Sequence, residues 1–124
     1  MRILRLLSAL VALVMLATLT VGLAGSAQAA KRFVPINGVT SKGKFYIRGS
    51  VGLDLAKKKI SVERQAKPGA KWQKWKKVYV NKKGIYRIQV SRLPGSKATC
   101  YRISVRALNG YDKSRSRPKC VVVA

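Results

Sequence analysis

Beyond residue 44 the chain alternates apolar and polar side chains in runs too short for a helix, and turn residues separate the runs. Phe45, Ile47, Val51 and Leu53 alternate with Lys44, Tyr46, Arg48 and Ser50, the period of a strand with one face dry and one wet. Ile60 and Val62 repeat the pattern. After the turn Lys67-Pro68-Gly69 come Trp72, Trp75, Val78 and Val80, then the turn Asn81-Lys82-Lys83-Gly84. Tyr86, Ile88 and Val90 form the next run, and Tyr101, Ile103, Val105 and Ala107 follow Leu93-Pro94-Gly95-Ser96. Asn109-Gly110 marks a tight hairpin, and Val121-Val122-Val123 supplies a last strand. No stretch after residue 30 keeps a helical period. Six or seven short strands predict an all-β chain, a single small antiparallel β-sandwich.

The first thirty residues differ in kind. Arg2 and Arg5 precede an apolar run over 6–23, and Ala27-Gln28-Ala29 is a small-x-small cleavage site. We read 1–29 as a secretory signal helix cut between Ala29 and Ala30; left uncut, the run is nearly long enough to anchor the chain in a membrane. Leu23-Ala24-Gly25-Ser26 has serine where a lipoprotein box needs its acylated cysteine. Residues 30–43, with Pro35, two glycines and no period, read as a leader or linker, and 44–124 as the domain. The product is expected outside the cytoplasmic membrane, as a monomer.

Export gives the two cysteines a meaning. Cys100 and Cys120 form an even pair in an oxidising compartment, which favours a structural disulfide closing a loop of about 20 residues. Such a bridge stabilises by about 3 kcal/mol. A hairpin centred on Gly110 sets Cys100 opposite Cys120. The same register turns Arg115 and Arg117 towards the core face. Either a bulge intervenes, or the segment before Lys119 runs as a loose edge that Pro118 favours.

Several residues in this order carry a resemblance: Ile60-Ser61-Val62-Glu63-Arg64, Pro68-Gly69, Trp72, Gly84-Ile85-Tyr86-Arg87, Tyr101-Arg102-Ile103-Ser104-Val105 and Gly110-Tyr111. Together they resemble the immunoglobulin-like or fibronectin-III-like sandwich domains of exported bacterial proteins, over roughly residues 44–123. Such domains act as binding or spacer modules. Cys100 and Cys120 join neighbouring strands and not two sheets, which departs from the antibody type. The resemblance implies that the strand beginning near Trp72 shares a sheet with the last hairpin. The outer face of that sheet then carries Lys77, Arg102 and Arg106, with Lys74, Lys76, Arg115 and Arg117 at its margins. Lys44, Arg48, Arg87 and Glu63 fall to the other sheet.

Charge narrows the partner. Of 27 lysines and arginines only Arg2 and Arg5 precede residue 30, leaving 25 bases against Asp54, Glu63 and Asp112 and a net charge of +22. A field of one sign attracts polyanions. With no histidine, Ser-His-Asp and Cys-His catalysis are impossible. Asp54 and Glu63, flanking Lys57-Lys58-Lys59, read as ion-pair partners and not as a glycosidase pair. Nothing implies a metal, a cofactor or an enzyme. The expected function is electrostatic association with an anionic envelope partner: wall polymer, acidic polysaccharide or anionic lipid surface. An acidic protein partner, or extracellular nucleic acid held by its phosphates, are the alternatives. Trp75, opposite in parity to Trp72 and Val78, is the indole placed to stack on a ligand.

Overall fold

The computed structural model describes residues 29–123, so the expected signal segment, apart from Ala29, lies outside the described residues. Ten strands follow in order: β1 (Ala30–Lys31), β2 (Asn37–Ser41), β3 (Lys44–Ser50), β4 (Lys59–Gln65), β5 (Trp72–Tyr79), β6 (Ile85–Val90), β7 (Ala98–Val105), β8 (Tyr111–Asp112), β9 (Ser114–Arg115) and β10 (Lys119–Val122). The only helical element among the described residues is a 3-10 turn over Leu53–Leu55. The protein is all-β. A five-stranded antiparallel sheet has the order β10-β7-β4-β5, with β9 also on β7; a three-stranded antiparallel sheet has the order β2-β3-β6. β1 and β8 form a short parallel pair.

The alternation sorts side chains much as the sequence predicts. Ile47, Tyr86 and Val90 from the smaller sheet and Ile60, Val62, Tyr101, Ile103 and Val105 from the larger are buried in one apolar cluster. Arg48, Arg87 and Gln89, between them in sequence, are exposed. Some positions depart from the expectation, among them Ala107, which is exposed. Phe45 is half-exposed, and Leu53 is exposed because the chain turns at Gly52 and buries Leu55 instead.

Residues 30–43 are not an unpaired leader. β1 pairs with β8, β2 pairs with β3, and Arg32 and Val34 are buried on either side of exposed Phe33. A charged residue in an inward position erases the apolar period by which such a segment is recognised. The Tyr86 hydroxyl donates to the Pro35 carbonyl at 2.7 Å and ties this segment to the core. Burial pushes that phenol above its usual range.

The last hairpin contains the bulge. Leu108 and Tyr111 bond reciprocally across Asn109 and Gly110, whose φ values of 53° and 81° suit a two-residue type I′ turn. In that register Ser104 faces Arg115 and Val105 faces Ser114. The Ser116 amide donates to the Ile103 carbonyl, and the Ser116 hydroxyl accepts from the Ile103 amide. Further along, Lys119 faces Tyr101 and Cys120 faces Cys100. One extra residue has entered, so Arg117 and Pro118 together stand opposite Arg102. The register set by the turn points small, buried Ser114 and Ser116 inward and leaves Arg115 and Arg117 exposed, and the insertion beyond them brings Cys120 opposite Cys100.

Gly110 isolates the cost of the turn, because a Cβ there would meet nothing within 4 Å. Gly110→Ala should cost about 1 kcal/mol of backbone strain. Urea unfolding checks this; an unchanged midpoint would mean the hairpin does not depend on the positive φ.

Candidate functional site

Cross-strand register builds the outer face of the five-stranded sheet in rows. Tyr79 lies beside Lys59; Lys77, Ser61, Ser104 and Arg115 form the next row; Lys74, Glu63 and Arg102 the next; Trp72, Gln65, Cys100 and Cys120 the last. Glu63 is therefore in the middle of this face and not on the other sheet. β4 runs between β5 and β7, a neighbour relation that strand alternation does not encode.

Glu63 gathers two of the expected polyanion ligands. Its carboxylate takes Arg102 Nε at 2.7 Å and Arg115 Nε at 3.3 Å. Arg102 also covers the Trp72 ring at 4.3 Å. The centre of the face is thus locally neutralised. Asp54 and Glu63 are both paired, as expected, but each to its own arginines, and Asp112 accepts from the Lys113 amide.

The unneutralised charge collects at one corner. Lys57, Lys58, Lys59, Lys77 and Arg106 line a cleft of about 440 Å³ with Ser61, Ser104 and Tyr79, and no carboxylate lines it. The tight turn after Leu55 positions the three consecutive lysines. Lys57, at φ 62°, donates its amide to the Val80 carbonyl, and Lys58 accepts from the Val80 amide. Lys77 and Arg106 were legible as site residues. The three lysines enter the sequence reading only as the stretch between Asp54 and Glu63, although their place beside the strand paired to Lys77 is the available signal.

The other expected residues separate. Lys74 and Lys76 line a second, smaller depression with Trp75 and Lys77, and Arg117 is exposed at the bulge. Trp75 is not the outward indole that its parity predicts. The β4–β5 register slips there, since Glu63 faces Lys74 while Val62 faces Lys76. This bulge turns Trp75 onto Tyr101, with ring centroids 5.1 Å apart, and against the core. Arg64 and Lys76 approach its ring at 5.3 and 4.7 Å. Trp72 is the indole on the outer face.

With so few acids, aromatic faces take up part of the charge. Lys59 lies 4.8 Å from the Tyr79 ring and Arg87 4.0 Å from Tyr46. Each such contact contributes about 0.5–1 kcal/mol at exposed sites.

A second constellation was missed altogether. Arg32 donates to Asp54 through both terminal nitrogens, at 2.9 and 2.6 Å, and to the Val51 carbonyl at 3.1 Å, and it lies 4.3 Å over the Tyr111 ring. Asn109 adds a bond to the same carboxylate at 2.9 Å. The Arg32 hydrogen bonds, then that of Asn109, hold the Asp54 carboxyl well below the usual carboxylate range; Asp54 in turn raises Arg32. This is a clasp joining three distant segments.

Neither the family models nor the curated proteins searched match this chain.

Proposed function

We propose that the protein is an exported β-sandwich of the immunoglobulin-like or fibronectin-III-like kind that holds anionic envelope polymer against the outer face of its five-stranded sheet. The shared core of the two larger sheets supports the sandwich reading. The observation that carries the function is the cleft of five cations and two serine hydroxyls, with no acid in its lining. Lysines on short strands and turns meet phosphate or carboxylate groups as point charges, and the serines add neutral donors. Binding of this kind releases condensed counterions and is governed by salt.

Binding to purified wall polymer, duplex DNA and anionic vesicles, measured at several salt concentrations, tests the reading. About five phosphate contacts predict a log–log slope of about −3.5 for a flexible polyanion. Lys77→Glu combined with Arg106→Glu should reduce that slope by about two. Arg48→Glu with Arg87→Glu, on the smaller sheet, should change it far less. Equal losses from the two pairs would remove the preferred face. Failure of all three ligands at low salt would transfer the role to an acidic protein partner.

A further inference from the structure

On the side away from the basic cleft, the edge strand β10 and the β2-β3-β6 sheet leave an apolar trough. Two adjoining depressions of about 310 and 430 Å³ share Phe45, Val90, Val121 and Val122. Val39 and Ile47 extend the wall. Three of the seven exposed large hydrophobic side chains among the described residues gather here: Phe45 at 45%, Val122 at 61% and Val123 at 58%. An apolar surface of this kind marks a binding site when its rim is polar. Here the rim is cationic, with Lys44, Arg92 and Lys119 and no acidic residue in either lining. Lys119 helps to close the trough: a Cβ at Gly38 would come within 3.0 Å of its Cε, so the missing side chain lets the lysine stem lie flat across β2.

We infer that this trough takes the alkyl chain of a single-chain anionic amphiphile, whose head group meets Lys44, Arg92 or Lys119. Arg92 already donates to the Ser96 carbonyl at 2.6 Å, but a neutral apolar ligand leaves Lys44 and Lys119 on the rim unanswered. A second copy of this chain would bring two such rims together with no acidic side chain between them among the described residues, so self-association through the trough is opposed by charge. A chain with an anionic head satisfies both the wall and the rim. The inference is independent of the polymer reading, since neither Lys77 nor Arg106 lines the trough.

The test is calorimetric titration of the full-length chain with octanoate, decanoate and laurate, each below its micelle concentration. Affinity should rise about fourfold for each added methylene. Decanol should bind at least fivefold more weakly than decanoate. Val122→Asp, at an exposed position, should weaken decanoate at least tenfold, whereas Lys77→Glu with Arg106→Glu should leave it within twofold. The chain-length series needs no variant and stands even if a substitution disturbs β10. Affinity independent of chain length would overturn the inference, as would equal binding of decanol, or a loss that follows the Lys77 and Arg106 pair instead of Val122.

Discussion

Replacing Asp54 with alanine is expected to destabilise the fold by about 3 kcal/mol, more than replacing its partner Arg32 with leucine, which should cost about 1–2 kcal/mol. The asymmetry comes from burial. The Arg32 side chain is 6% exposed and that of Asp54 35%. Removing the carboxylate strands a guanidinium that cannot reach water, whereas removing the guanidinium leaves a carboxylate that can. The magnitude is set at the low end of buried-pair values because Asp54 is partly wet. Arg32→Leu with Asp54→Ala should recover part of the loss, since an apolar side chain tolerates the site. Urea unfolding at neutral pH measures the cycle, and a milder effect from Asp54→Ala than from Arg32→Leu would refute the account.

The same clasp sets an acid limb. Asp54 titrates below its ordinary value of about 3.9 in the folded chain, so its stabilisation is complete above that value. It fades as pH falls through the lower folded value, because the unfolded carboxyl takes up its proton first. Wild-type stability should therefore hold down to about pH 5 and decline below pH 4. Asp54→Ala should flatten that decline, and the two proteins should converge in strong acid.

Removing the disulfide is the other large perturbation. Cys100→Ser with Cys120→Ser should cost about 3 kcal/mol, the chain-entropy value for a loop of this length. Cys100 and Cys120 face one another with Cα atoms 4.0 Å apart and a sequence separation of 20. For a domain whose total stability is about 5–15 kcal/mol, that is a large share. β10 is an edge strand held by β7 alone in the five-stranded sheet, and no helix among the described residues covers it. Fraying should begin there. A reductant should lower the urea midpoint of the wild type and leave that of the double variant unchanged; no difference on reduction would show that the bridge adds nothing. Because a net charge of +22 in residues 30–124 opposes compaction, added salt should recover part of the loss.

Sequence determined what is local. Period-two alternation at Ile60 and Val62, at Tyr86 and Val90, and at Tyr101, Ile103 and Val105 decides which side chains leave water, because successive strand residues point to opposite faces. Asn109-Gly110 fixes a hairpin through positive φ, and the cysteines opposite one another follow from chain spacing with one residue added at Arg117–Pro118. Tertiary structure decided which strands are neighbours and where parity breaks. Alternation gives the side a residue faces but not the strand beside it, so Glu63 is placed between Lys74 and Arg102 only when β4 enters between β5 and β7. A bulge adds one residue with no compositional mark and reverses everything beyond it, as at Trp75. Arg32 gave no signal at all, because a lone arginine in an aperiodic segment reads as solvated until Asp54, Val51 and Tyr111 converge on it. The number of positive charges is written in the chain; which of them remain unneutralised depends on where the fold brings its two paired acids, Asp54 and Glu63.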